Sequence, residues 1–428
     1  MVSNSPLPLG SKIKQVREAL GYSQEQVARY AKIQRSKLSD LEMGKIEFDP
    51  KTLLAVRKFL EIENAPLLDH ELELFMTRME VWDDMLDTNR TEDSRKMANE
   101  LSVILSLPYE YDMLFLYSVL DARTLIKEND VPAAKEKLDM SESLLDKASN
   151  KYMYLYHQTK GNLCLNSGDF RAALPYFQHA LDIFDSTKSK DRLLAGIGTT
   201  YYYMGKIYHA IMAFERALEA YRGDKANSTG SHMKSSMALC YMHIGAYDKS
   251  KQLFDELLNH SRSVSDNITL KSQLIVRGGL SILVGDYVEA LEFFDQAKKT
   301  TDFTDGYIGS SLVVVGAASE AKALRKLRKY DQSKEALSKA KPFAQGNELF
   351  TMYLDVQEKL IDLNDPECIS YLEDVAIPFL RAQGGLNNFD AAAICKELVA
   401  YYTKKKAKTK AAAIKAIMCD IYEEVFMA

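Results

Sequence analysis

The chain has 428 residues, too many for one ordinary core, so its length points to several domains or to a repeat array. Apolar residues make up 46% and charged residues 27%, with only 10 Pro and 20 Gly, which argues against a disordered chain and against a turn-rich all-β fold. The net charge of -5 argues against general nucleic-acid binding, but it is unevenly spread: residues 1–64 hold 11 Lys+Arg against 8 Asp+Glu, and the remainder 44 against 52.

Cys164, Cys240, Cys368, Cys395 and Cys419 are odd in number and form no C-x-x-C pair, so neither a disulfide framework nor a thiolate metal site is expected. The opening MVSNSPLPLGSKIKQ lacks the basic-then-apolar pattern of an export signal, and no stretch has the apolar length of a membrane span. A cytoplasmic protein is the expectation.

Gly10 to Leu60 reads as four or five short helices. The first carries Ile13, Val16 and Leu20 at core spacing and stops at Gly21. Ser23 caps the second, with Gln26 completing an S-x-x-Q capping box, and Val27, Ala28 and Ala31 face inward. The third, Arg35 to Met43, buries Leu38 and Leu41 and ends at Gly44. Asp49 and Pro50 start a fourth, with Leu53, Leu54, Val56 and Leu60 as its apolar residues. A short helix, a tight turn and a helix whose exposed start is rich in Arg, Lys, Gln and Ser is what major-groove reading requires.

The run LGYSQEQVARYAKIQRSKLSDLEMGK, with Thr52 and Leu53 beyond it, resembles the Cro/C1-type (XRE) helix-turn-helix over about sixty residues. Gln34 stands where that family often has a Ser or Thr cap, and Phe48 where it usually has Pro. The resemblance implies base contacts from Gln34, Arg35, Ser36, Lys37 and Asp40, and phosphate contacts from Gln24 and Lys45. Arg35 is the leading candidate, because a bidentate Arg–guanine pair is the commonest specific contact.

Residues 65–112 are helical in pattern, hold the only Trp, Trp82, and read as a rigid linker. From 113 to 344 the chain repeats itself. The set Gly161, Gly168, Phe170, Ala173, Phe177 and Ala180 recurs as Gly198, Gly205, Ile207, Ala210, Phe214 and Ala217, and then as Ala238, Gly245, Tyr247, Ser250, Phe254 and Leu257. It continues as Gly278, Gly285, Tyr287, Ala290, Phe294 and Ala297. An earlier unit has Ala122, Asn129, Val131, Ala134, Leu138 and Ser141, and a later one Ala321, Arg328, Tyr330, Ser333, Leu337 and Ala340. The columns of small residues predict close helix crossings, with the aromatic filling the groove to the next pair. The period and pattern resemble tetratricopeptide repeats. Residues 345–428 read as degenerate units and capping helices.

The predicted fold is therefore all-α: a helix-turn-helix domain (1–64) followed by a right-handed tetratricopeptide superhelix. In such repeats the first helix of each pair lines the concave face. Carried over by position, that face comprises Arg123, Lys127, Gln158, Asn162, Asn166, Thr199, Tyr202, Tyr203, Ser235, Met242, His243 and Lys322, with Ser272, Ile275, Leu283 and Lys326 beside them. Amide, aromatic and cationic side chains of this kind suit an extended peptide.

An XRE domain ahead of six to nine such repeats resembles the RRNPP group of peptide-pheromone receptors. That resemblance implies a homodimer binding double-stranded DNA at two half-sites, with a short signalling peptide in the concave channel. Some relatives instead act on response regulators by sequestration or dephosphorylation, and a ligand-independent DNA-binding scaffold is a third reading. No P-loop occurs, and Gly196, Gly198 and Gly205 form no G-x-G-x-x-G, so these glycines read as packing positions. The seven His show no metal-ligand spacing. No catalytic residue, metal or cofactor is predicted, and the KKKAKTK run from Lys404 to Lys410 reads as a solvated helix end.

Overall fold

A computed structural model describes residues 7–88, 90–107, 110–184, 190–221, 228–263, 267–300 and 306–426. Among them every regular element is helical. The chain divides into two compact units, Met1–Asp185 and Ser186–Ala428.

The first unit opens with α1 (Leu9–Ala19), α2 (Gln24–Tyr30), α3 (Arg35–Glu42) and α4 (Pro50–Phe59). Their boundaries follow local chemistry. Ser23 and Gln26 exchange both bonds of a capping box, and the Asp49 carboxylate accepts from the Thr52 amide. Gly21 and Gly44 end α1 and α3 at φ +74° and +69°. Ile13, Val16, Val27, Leu38, Leu41 and Val56 are buried as expected. Leu20 and Leu54 are not: they are 47% and 52% exposed, because α1 and α4 each present only one narrow face to this small bundle. Ala31 and Leu53 are partly buried.

The predicted linker is a packed layer. It forms α5 (Asp69–Asp87) and α6 (Thr91–Leu101), both lying against α7 (Tyr111–Lys127). Trp82 is fully buried, its indole N–H donating to the Thr124 hydroxyl at 3.1 Å. Lys12 of α1, 1% exposed, donates to the Leu67 carbonyl at 3.1 Å and pairs with Glu110 at 3.2 Å. Arg57 of α4 holds Glu71 at 2.9 and 2.5 Å. Burial alone would raise the Glu71 carboxyl; hydrogen bonds from Arg57 and from the Leu68 and Leu67 amides outweigh it and hold the pKa down to about 2. One cluster of buried apolar side chains runs from Ile13 through Trp82 and Phe115 to Leu163. The unit continues with α8 (Val131–Glu142), α9 (Met153–Asn166) and α10 (Phe170–Asp182).

The second unit holds α11 (Asp191–Tyr203), α12 (Ile207–Ala220), α13 (Ser228–His243), α14 (Tyr247–Ser263), α15 (Asn267–Val284), α16 (Tyr287–Thr300), α17 (Gly306–Lys326) and α18 (Tyr330–Ala344). After these come α19 (Glu348–Lys359) and α20 (Pro366–Ser370), which runs through a wide π turn, Tyr371–Ala376, into α21 (Ile377–Gln383). Last are α22 (Asn387–Lys404) and α23 (Lys408–Phe426).

The repeat columns become physical positions. The first, Ala122, Gly161, Gly198, Ala238, Gly278 and Ala321, is buried throughout. The second is a left-handed turn rather than a packing position: Gly168, Gly205, Gly245 and Gly285 have φ from +75° to +89°, and Asn129 and Arg328 adopt +63° and +61° in the same place. The third column begins the second helix of each pair. The aromatic column also differs from expectation. Where the first column is Gly, the Phe packs on it within the same hairpin, so that a Cβ at Gly161, Gly198 or Gly278 would lie 2.9, 2.8 or 2.6 Å from Phe177, Phe214 or Phe294. Where the fourth column is Ser, its hydroxyl donates to the first-column carbonyl: Ser250 to Ala238 at 2.8 Å and Ser333 to Ala321 at 3.0 Å. The α22–α23 turn repeats the device at Lys406, φ +58°, within the basic run, where Lys404, Lys405 and Lys406 are exposed.

Candidate functional site

In the helix-turn-helix, the start of α3 is open. Gln34, Arg35, Ser36 and Lys37 are exposed, Asp40 is half-buried, and the Gln34 side chain makes no cap bond. Lys45 lies 3.3 Å from Asp40 and Lys37 3.7 Å from Asp49, exposed pairs of the kind worth little in water. Gln24 is engaged, its amide donating to Glu42 Oε2 at 2.8 Å. Glu42 is the hub of the domain. It accepts from Arg17 Nε at 2.6 Å and Nη2 at 2.9 Å, and Arg17 Nη1 reaches the Tyr22 carbonyl at 2.8 Å. This network ties α1 to the far end of α3 and fixes the angle at which α3 presents its first turn.

The residues expected to line a peptide site fall in both units. In the first, Arg123 is turned inward onto Asp83 and Asp87 of α5, with Nη2 3.0 Å from Asp87, and it is buried. Gln158 is buried, Asn162 half-buried, and Lys127 and Asn166 exposed, the Asn166 amide reaching the Ile126 carbonyl at 3.4 Å. The guanidinium of Arg123 serves the packing of α5 on α7, so the unit offers fewer polar groups than the sequence suggests.

In the second unit Thr199, Ser235, Met242 and Ser272 are half-buried, Tyr203 and Leu283 are exposed, and Ile275 is buried. Tyr202 and His243 meet the start of α22, and Lys322 lines a cavity with Asp390 of the same helix, a segment that repeat columns do not reveal. Phe389 stacks on His243 with ring centroids 4.5 Å apart, and Leu386 and Phe389 join the apolar cluster containing Tyr201, Tyr202 and Met237. The Tyr202 hydroxyl lies 3.4 Å from His243 Nε2. Gly385, φ +54°, abuts the Tyr203 carbonyl so closely that a Cβ has no room. Further along α22, Glu397 accepts from Arg325 at 3.3 Å and pairs with Lys326 at 2.6 Å, and Tyr353 donates to Asn387 Oδ1 at 3.2 Å. Tyr353, Asn387, Phe389, Asp390 and Glu397 thus stand beside the candidate site, and sequence reasoning missed them. The one local signal was the run GGLNNFD, where paired glycines and asparagines stand together at a helix start.

The electrostatics are those of enclosed polar groups. Burial lowers the His243 pKa to about 4 and raises the Cys240 thiol to about 12. Burial also lowers Lys322 and raises Asp390 to about 6, each opposed by the charge of the other. His243 gives a pH prediction with a definite sign. The unfolded ring takes a proton near its ordinary value of 6.5 and the folded ring only near 4, so stability is lost as pH falls through that window. Between pH 7.5 and 5, His243→Gln is expected to lose about 2 kcal/mol less stability than the parent protein, read from urea unfolding midpoints.

Among the described residues no group of three His, Cys, Asp or Glu could hold a metal ion, and no helix is long and apolar enough to cross a membrane.

Residues 13–63 match the helix-turn-helix family and residues 152–223 the tetratricopeptide repeat. No curated protein matches the chain. Among solved structures, a Rap protein complexed with Competence and Sporulation Factor is similar at TM-score 0.71 and 16% identity, over 82% of this chain and 99% of that one. The apo form of the quorum sensor NprR from B. thuringiensis gives 0.65 and 18%, over 83% and 100%. NprR in complex with its cognate peptide NprX gives 0.62 and 17%, over 81% and 99%. The chain is a helix-turn-helix protein with a body of tetratricopeptide-like repeats. Its architecture is similar to that of the RRNPP quorum-sensing proteins, to which Rap and NprR belong.

Proposed function

We propose that the chain is a DNA-binding transcription regulator whose repeats bind a short signalling peptide and thereby alter DNA binding, acting as a cytoplasmic homodimer on two half-sites. The observation that carries this reading is the pairing, in one chain, of an exposed and braced α3 start with the fold of two proteins solved with signalling peptides. Arg35, Gln34, Ser36 and Lys37 read bases, with Asp40 beside them, and Lys45 contacts phosphate. Gln24, spent on Glu42, acts by holding α3 in place. In the second unit Tyr202, Tyr203, His243 and Lys322 contribute to the peptide site.

The test is selection of duplexes from a randomised pool with the full chain. Arg35→Ala is expected to lose about 1–3 kcal/mol of discrimination at one base position. Lys45→Ala should instead weaken all sequences alike and reduce the salt slope by about 1. If the parent chain selects no duplex yet retains a phosphorylated response regulator, the response-regulator reading replaces this one.

A further inference from the structure

Within the second unit, α17, α19, α21 and α22 line a half-open cavity of about 260 Å³. Part of its wall is aliphatic, including Val356 and Ile394, and part is polar, from Lys322, Arg325, Tyr353, Gln357, Asp390 and Glu397. The polar groups satisfy one another only in part. Arg325, 9% exposed, gives its terminal nitrogens to Glu397, yet its buried Nε has no partner. Gln357 Oε1 is buried and without a partner as well. Lys322 and Asp390 line the same cavity, and among the described residues they close no direct ion pair. Asp390 keeps more than a third of its surface open and accepts from the Tyr353 hydroxyl.

Native interiors seldom leave a buried donor and a buried acceptor both unmatched, because each forgoes the hydrogen bonds it had in water. Here the unmatched donor Arg325 Nε and the unmatched acceptor Gln357 Oε1 face one cavity, with the Lys322 ammonium and the open side of the Asp390 carboxylate beside them. A carboxylate answers the donors and an N–H answers the acceptors. Groups of both kinds stand one carbon apart in an α-amino acid. The volume, about 260 Å³, lies just below the range of about 300–1,000 Å³ typical of small-molecule pockets, which suits a single residue.

We propose that this cavity binds an amino-acid end group: an α-carboxylate accepting from Lys322 and Arg325 Nε, a nitrogen donating to Asp390 and Gln357 Oε1, and an aliphatic side chain against Val356 and Ile394. Where the end group belongs to a signalling peptide, the inference rests on the function proposed above and names which end of that peptide enters the second unit. A free aliphatic amino acid carries the same chemistry.

The test uses the full chain and three probes: an equimolar library of synthetic heptapeptides as free acids, the same library amidated at its C-termini, and free leucine, isoleucine and valine. Ligand retention is read by affinity selection with mass spectrometry. The expected result is about tenfold higher retention of the free-acid library, the size of one lost charge-assisted contact. Lys322→Met should bring it down to the amidated level, and Lys322→Arg should restore it. Circular dichroism establishes that both variants fold. Equal retention of the two libraries overturns the end-group inference while upholding peptide binding. Retention of a free amino acid with neither library retained supports the cavity and overturns the peptide reading. Retention of nothing overturns both and leaves a water-filled cavity.

Discussion

Glu42→Ala is expected to destabilise the helix-turn-helix by about 3–5 kcal/mol, the cost of leaving a buried charge without its partner. The side chains of Arg17 and Glu42 are 7% and 1% exposed, and two hydrogen bonds join them. Alanine would strand the guanidinium between α1 and α3 with the Tyr22 carbonyl as its chief acceptor. It would also release Gln24. Because whole domains are stable by only about 5–15 kcal/mol, a loss of this size suffices to open a bundle of four short helices. Amide hydrogen exchange should accelerate across α1 to α4 and stay unchanged in α11 to α23, and duplex selection should disappear. Glu42→Gln, which keeps an acceptor and the packing, should fall between. Unchanged exchange in α1 to α4 of the alanine variant would show that the ion pair does not brace the domain.

Phe214→Ala should cost about 3–5 kcal/mol, the usual range for truncating a fully buried aromatic. Phe214 has no exposed surface, and its ring rests on Gly198. The complementary change, Gly198→Ala, places a methyl 2.8 Å from that ring and is expected to cost about 1–3 kcal/mol by overpacking. The molecule itself shows two arrangements for an alanine in the first column: Ala238 keeps a fully buried Phe254 in the same cluster, and two other hairpins shrink the second residue. Ala122 with Leu138 and Ala321 with Leu337 are buried versions of the same pair, with one more carbon on the first helix and a smaller group on the second. Gly198→Ala combined with Phe214→Leu should therefore be more stable than Gly198→Ala alone in a urea titration. A double variant less stable than that single variant would mean that the two positions are not a matched unit.

The contrast between these two sites explains what the sequence can and cannot disclose. The Gly–Phe pairing lies sixteen residues apart in one hairpin and recurs, so it shows as columns even though its geometry was misread as a groove filler. The turn column was legible in place but not in meaning. Asn129 and Arg328 occupy it with positive φ, which identifies a backbone requirement where the glycines alone suggested packing. The caps at Ser23 and Asp49 were read fully, because a cap is settled within four residues. Long-range partners were invisible. Nothing near Arg123 announces Asp83, forty positions earlier on a helix read only as a connector. The meeting of Phe389 with His243 depends on α22 returning to α13 across more than a hundred residues, and no periodicity encodes that return. Burial shows the same limit: Leu20 and Leu54 have the right spacing for a core and face solvent, since spacing fixes a helix face but not whether a neighbour covers it.

The ammonium of Lys12 bears on how the helix-turn-helix end could be steered. It belongs to α1, yet both of its recorded acceptors, the Leu67 carbonyl and the Glu110 carboxylate, lie outside the four-helix bundle. A domain bolted down at such a point cannot swivel on a loose strap. Any tilt of α3 must be shared with α5 and α7 as a lever shares motion with its base, and this gearing would let a small shift in the helical layers translate into a reoriented α3.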